Sequence, residues 1–227
     1  MLVIDLDSQG SMTSIFGGKV EDEWGTVFPL LARHYGEHLR QDNQRRVDRG
    51  EAPLPFDDAL GDAMKLTSAD VIQKTHWPNI DLIGAQLNLY WAEFQIPVWR
   101  MAARGWKLWD ALTDRLEADG VLDQYDVVIL DTPPALGYLT INGLAAADIL
   151  LVPLGASFLE FDSTGRFFDM LSTTFKSIEE GENLAARALG REELRFEWDA
   201  VRAVVTRYDA TQLAELGALI QAYMGQT

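Results

Sequence analysis

Tyr125-Asp126-Val127-Val128-Ile129-Leu130-Asp131-Thr132-Pro133-Pro134 is an apolar run that ends in a carboxylate and a chain-breaking turn. Four consecutive apolar residues without alternation suit a strand covered on both faces, and Thr-Pro-Pro forbids continuation as a helix. The stretch reads as a buried strand that delivers Asp131 to a site, because ligands of parallel α/β sheets sit at the carboxyl ends of the strands. The plain alternative is an Asp that caps the next segment. A second stretch, Leu2-Val3-Ile4-Asp5-Leu6-Asp7-Ser8-Gln9-Gly10, repeats the pattern: an apolar strand, then carboxylates, then a small polar turn. Two strands thus present acids at the same kind of edge.

This pair resembles the ParA/MinD family of partitioning and positioning ATPases, in which a strand ending Asp-x-Asp-x-Gln and a Walker B strand ending Asp-x-Pro flank the nucleotide phosphates. Further matches follow in order. Leu139 to Leu144 and Ala146 to Pro153 look like the segments after Walker B. Phe161 to Phe168 and Val204-Val205-Thr206-Arg207-Tyr208 look like the plasmid RepA branch. The resemblance covers most of the chain and is weakest across residues 18–78.

The family's defining element is a deviant Walker A loop, Lys-Gly-Gly-x-Gly-Lys-Thr, ahead of the Asp-x-Asp strand, and the 227 residues hold no such run. Gly17-Gly18-Lys19 lacks the second Lys-Ser/Thr and the strand-turn-helix setting in which backbone N–H groups cradle phosphates, so it reads as a loop. The resemblance implies a P-loop NTPase-like α/β fold with its first strand and P-loop missing. That fold is a doubly wound, mainly parallel sheet with helices on both faces. It also implies one ParA-like domain over 1–227, truncated at the front and at the back, with 42–62 as a surface insertion. In the family the missing strand lies between the Walker B strand and the strand at 149–152. A gapped or closed-up sheet is expected there, and finding those strands in separate sheets, or an antiparallel sandwich instead, would sink this architectural expectation.

Composition narrows the partners. With 48% hydrophobic residues the chain can bury one substantial core. No apolar run approaches the roughly 20 residues of a membrane span, and the N-terminus has no basic signal region. Zero cysteines exclude disulfides and thiolate chemistry and agree with a cytoplasmic setting. A net charge of −16, from 35 acids and 19 bases, argues against tight DNA binding. The arginines between Arg33 and Arg49 are interspersed with acids and read as a solvated helix running into a polar linker. His34 and His38 share a helix face at i,i+4 without further metal ligands, so they read as solvated.

Taken in order, periodicity predicts a helix over 24–41, a short helix capped by Thr67 or Ser68 with Asp70 in its first turn, and a brief strand at 80–83. Trp106, Trp109, Leu112 and Leu116 mark one face of an amphipathic helix ended by Gly120. Trp91, Phe94 and Trp99 lack the interleaved basic residues of a base-stacking platform and read as core. Beyond Pro134 come a helix over 139–146 and a strand at 149–152 stopped by Pro153. A helix with a single apolar stripe, Phe161 to Ile178, then ends at Glu179-Glu180-Gly181, and a short segment at 183–190 follows. The last elements are a strand at 200–206 and a final helix begun by Leu213, Leu216, Leu219 and Ile220.

The resemblance assigns roles by position. Asp7 matches the carboxylate that orients the attacking water. Asp131 matches the Walker B acid that holds Mg through water. Asp5 and Gln9 fall in the nucleotide-binding strand end, and Asp5, one alternation away from Asp7, is more suited to support than to catalysis. Thr206 and Arg207 match the adenine-contacting position, although many relatives carry Asn where this chain has Thr206. The implied cofactors are ATP and Mg. The implied partners are a ParB-type centromere-binding protein and a second copy of the chain, joined with ATP. The implied function is plasmid partitioning by ATP hydrolysis, this chain being an incomplete and inactive form. The alternative is a non-enzymatic interaction module that keeps the sheet and has lost the nucleotide site.

Overall fold

The computed structural model describes residues 1–21, 24–56, 60–103, 105–155, 158–189, 193–206 and 217. The chain divides into two compact units at Ala146/Ala147. The first holds β1 (Leu2–Asp5), α1 (Ser11–Ile15), α2 (Phe28–Asp48), α3 (Ser68–Val71), β2 (Gln73–Lys74), β3 (Asp81–Ile83), α4 (Ala92–Ala102), α5 (Ala111–Ala118), β4 (Val128–Asp131) and α6 (Tyr138–Ala145). The second holds β5 (Ile149–Gly155), α7 (Phe158–Leu189) and β6 (Ala200–Thr206).

In the first unit the strands run in the order β2-β3-β1-β4. β1 pairs in parallel with β3 and β4, whereas the short β2 is antiparallel to β3. All four residues of β1 are buried, as the central strand of a covered sheet must be. Leu30, Leu31 and Leu39 of α2 and Leu112 and Leu116 of α5 are also buried, and α2 packs against α5. The aromatic part of this core is a cluster. Tyr35 stacks on Trp99 at 4.9 Å, and Trp106 meets both edge-on. Of the three aromatics expected inside, only Trp99 is fully buried. Trp91 packs on Phe28 yet stays half exposed, and Phe94 is 60% exposed, because it lies on the α4 face away from Trp99 and Ile96.

β4 differs from its expected burial on both faces. Among the described residues it is an edge strand with a neighbour on one side only, and Ile129 remains 40% exposed. In the second unit β5 pairs in parallel with β6 alone, and Leu151 is 67% exposed. β4 and β5 therefore lie in separate sheets, which overturns the expectation of one gapped or closed-up sheet across this point. Among the described residues each has an unpaired outer edge. The α/β class and the preference for parallel pairing stand, with three of the four ladders parallel.

Element boundaries shift for local reasons. α2 continues to Asp48, so the first third of the expected 42–62 insertion is helical. The loop beyond folds back on it: Asn43 exchanges two hydrogen bonds with the Leu54 backbone, and Arg46 donates to the Ala52 carbonyl. β5 passes through Pro153, which suits a strand with a free edge. α7 runs unbroken through Gly181, where a side chain would meet open space, so the two expected helices are one. Thr67 and Asp70 form the capping box of α3. The expected final helix lies outside the described residues.

Candidate active site: a carboxylate edge

The site begins at the register of β1 and β4. Asp5 and Asp131 are opposite one another in the parallel ladder, and the Leu6 N–H donates to the Asp131 carbonyl at 2.8 Å. Two apolar strands of equal length thereby bring their terminal acids to one edge. β1 then leaves through a tight turn. Gly10 N–H donates to the Asp7 carbonyl at 2.9 Å, and Gln9 N–H to Asp7 Oδ1 at 3.0 Å. Gly10 has φ +63°, and a Cβ there would lie 2.9 Å from the Ala85 carbonyl oxygen. Glycine is needed both for the left-handed backbone and for the close approach.

Asp5 is fully buried. Its Oδ2 accepts from the Thr13 N–H at 2.8 Å and the Thr13 hydroxyl at 2.7 Å, and its Oδ1 accepts from the Asp7 N–H at 3.1 Å. The Thr13 hydroxyl in turn accepts from the Ala85 N–H at 2.8 Å. Asp5 thus ties β1, α1 and the turn after β3 together. Nothing in the sequence marked Thr13 or Ala85, because their roles depend on a contact between distant segments.

Asp131 is half buried, and its carboxyl is pushed above the usual carboxylate range, first by burial and then by the negative charges of Asp5 and Asp7. Among the described residues no hydrogen bond engages its side chain. It does not cap the following helix either. The α6 N–H groups of Tyr138 and Leu139 go to the two carboxylate oxygens of Glu93, at 2.7 and 2.9 Å. That disposes of the plain capping alternative. Also among the described residues, no three His, Cys, Asp or Glu side chains converge as a direct metal cage. The arrangement fits a hydrated divalent cation instead: three acids at one strand edge, one with a raised carboxyl and free oxygens, which a cation bound through water would relieve.

Gln9 is exposed beside Asp7. Thr206 belongs to the second unit, where its hydroxyl donates to the Leu154 carbonyl at 3.2 Å and is taken up by its own sheet. Arg207 lies outside the described residues. His34, expected to be solvated, is largely buried. Its Nδ1 accepts from Trp106 Nε1 at 2.9 Å, which leaves the proton on Nε2, 3.0 Å from Asp114 Oδ2. The basic run is likewise partly internal: Arg33 and Arg115 share Glu37, and Arg33 reaches Asp119.

Acids at the carboxyl ends of adjacent parallel strands form the edge where an α/β sheet takes its ligands. The chain belongs to the AAA domain family, whose model matches residues 1–184, and within it to the ParA-type deviant Walker ATPases. It is 30% identical over 224 residues to a protein of Sinorhizobium fredii provisionally named replication protein A, covering 93% of this chain and 43% of that one. It is 28% identical over 162 residues to chromosome partitioning protein ParA of Caulobacter vibrioides, covering 71% and 47%. The chain thus spans less than half the length of these curated relatives. Its fold is similar to that of cobyrinic acid a,c-diamide synthase from Mycobacterium smegmatis, solved with a bound ATP analog and magnesium. The TM-score is 0.60 at 24% identity, covering 96% of this chain and 65% of the synthase.

Proposed function

We propose that this chain carries the magnesium- and water-positioning side of a ParA/RepA-type plasmid-partitioning ATPase. The observation that supports this reading is the register of Asp5 opposite Asp131 at the ends of β1 and β4, with the charges of Asp5 and Asp7 both acting on the Asp131 carboxyl. In the reading, Asp7 accepts a hydrogen bond from the attacking water and sets its direction, while Asp5 holds the turn from which Asp7 projects. Asp131, as the Walker B acid, would hold Mg through its water shell. When bound, Mg offsets the charge of the phosphate oxygens. Gln9 adds a polar contact at the same turn, and Thr206 with Arg207 would take the adenine.

The 227 residues hold no Lys-Gly-Gly-x-Gly-Lys-Thr run, so tight binding of a triphosphate is not proposed for them alone, and by themselves they are proposed to be inactive. The proposed partners are a ParB-type centromere-binding protein and a second copy of the chain, joined with ATP. Segregation of DNA would be driven through them, since a net charge of −16 disfavours a direct grip on phosphates. No helix among the described residues is long and apolar enough to cross a membrane. A cytoplasmic setting is proposed.

Mn²⁺, a paramagnetic stand-in for Mg²⁺, tests the metal assignment. Its titration into the labelled chain should broaden NMR signals around Asp131 and Asp7 first, and Asp131→Asn should abolish that selectivity. Broadening centred elsewhere, or unchanged in the variant, would remove Asp131 from the proposed role.

A further inference from the structure

We propose that Glu93 is a positioning residue for the Asp131 edge: its carboxylate, carried by α4, clamps the start of α6, and α6 holds both chain segments that bear the acids. The clamp is bidentate, with Oε2 on the Tyr138 N–H at 2.7 Å and Oε1 on the Leu139 N–H at 2.9 Å. α6 supplies nothing equivalent itself, since Gly137 at its N-cap has no side chain and its first turn has no acid. A carboxylate at a helix N-terminus satisfies otherwise unpartnered donors and lies favourably in the helix dipole.

Gly137 shows that the sequence accommodates this contact. Its backbone is extended, at φ −101° and ψ −175°, which any residue adopts. What excludes a side chain is space: a Cβ at Gly137 would lie 2.6–2.8 Å from the three carboxyl atoms of Glu93. The loop ahead of α6 is closed on the same helix by the Thr140 hydroxyl, which donates to the Ala135 carbonyl at 2.6 Å.

One turn further along, α6 meets the site. A Cβ at Gly143 would lie 2.8 Å from Leu6 Cδ1 and 2.9 Å from Thr132 Cγ2. Leu6 sits between Asp5 and Asp7, and Thr132 directly follows Asp131. α6 is therefore pinned by Glu93 at its start and rests at Gly143 on both acid-bearing segments. A shift at the clamp moves the surface against which Leu6 and Thr132 are set, because close-packed contacts transmit displacement instead of absorbing it.

The test uses the full 227-residue chain with Glu93→Ala, Glu93→Gln and Gly137→Ala. Amide hydrogen exchange and the Leu6 and Thr132 methyl resonances are read by NMR. Glu93→Ala should speed exchange at Tyr138 and Leu139 by about tenfold or more and shift both methyls, while β1 and β3 amides keep their protection. Glu93→Gln should retain part of the protection through its one acceptor oxygen, and Gly137→Ala should reproduce the Glu93→Ala pattern with the carboxylate still present. Unchanged exchange at Tyr138 and Leu139, a uniform rise across β1 and β3, or unmoved methyls would each overturn the proposal. Its link to metal rests on the reading of Asp131 given above. Mn²⁺ broadening near Asp131 should need several-fold more metal in Glu93→Ala. If the unsubstituted chain shows no such broadening, the metal reading fails while exchange and methyl shifts still decide the clamp.

Discussion

Asp5 and Asp131 stand in register on neighbouring strands, yet their environments differ in kind. Asp5 is buried with three donors, so its charge is balanced by hydrogen bonds, and the Thr13 hydroxyl is the shared link. Thr13→Val keeps the shape but leaves the Ala85 N–H without its acceptor and Asp5 one donor short. We expect a loss of about 2–4 kcal/mol in urea unfolding, since each unsatisfied buried partner costs about 1–3 kcal/mol; a change within experimental error would show that the relay is dispensable. Asp131 has the opposite balance. Its carboxyl is raised, so its contribution to stability is fully present below the unfolded-state value of 3.8 and is lost as pH rises through the folded-state value. Asp131→Asn should therefore be more stable than the parent at pH 7, by up to about 1 kcal/mol at this half-exposed group, with the difference vanishing toward pH 3.5. A lower Tm for the variant at pH 7 would contradict the like-charge account. His34 is held below its ordinary value, chiefly by burial, with Asp114 and Asp110 opposing and Arg115 assisting. Its neutral form is the one that accepts from Trp106. The stability it contributes is present above pH 6.5 and is lost as pH falls through the lowered value, a dependence that His34→Leu should remove in unfolding measured as pH is lowered from 7.

At the scale of elements, α5 ends against its own dipole. Asp119 occupies the C-cap, where a carboxylate is disfavoured, and three donors explain it: Arg33 at 3.0 Å, the Ser68 N–H at 2.8 Å and the Ser68 hydroxyl at 2.9 Å. The side chain thus joins α2, α3 and α5. Asp119→Ala should cost about 2 kcal/mol, because it leaves the Ser68 N–H and hydroxyl without their acceptor and removes one of the two carboxylates that Arg33 engages, and Arg33→Met in the same background should recover part of that loss in a double-mutant cycle. Additive losses would show that the two side chains are not coupled. The ends of β1 and β4, the α3 cap and the α6 span were legible from local signals, namely apolar runs stopped by Asp and a Thr-x-x-Asp box, whereas the expected stop at Pro153 was not, since β5 runs on to Gly155. What escaped was set by tertiary surroundings. Gly181 looks like a stop yet sits in open space on α7, and Val127 to Leu130 reads as doubly covered, although β4 is an edge. His34 reads as solvated because neither Trp106 nor Asp114 is near it in sequence. The acid pair at the strand edge was legible for the converse reason, that two apolar runs in the sequence each end in a carboxylate. Thr13, Glu93 and Gly137 were not, since their partners come from distant elements.

For the whole molecule, two units with separate sheets, edges on β4 and β5 that no described strand pairs, and a net charge of −16 accompany a family relationship that covers residues 1–184. Asp5 and Asp131 stand at one strand edge with Asp7 in the turn beyond, and acids alone repel a triphosphate. Affinity for ATP in this class of site comes from backbone N–H groups, a lysine on the phosphates and a hydroxyl on Mg, each worth about 1.5–3 kcal/mol as a charge-assisted contact. The most direct measurement is titration calorimetry of the 227-residue chain with ATP and Mg, run beside a phosphate-release assay. It is repeated on the chain preceded by a segment that bears Lys-Gly-Gly-x-Gly-Lys-Thr. The account predicts no detectable heat or turnover from the chain alone, and from the extended chain a turnover that Asp7→Ala and Asp131→Asn abolish. Micromolar ATP binding by the chain alone, or turnover in the extended chain that survives both substitutions, would contradict it.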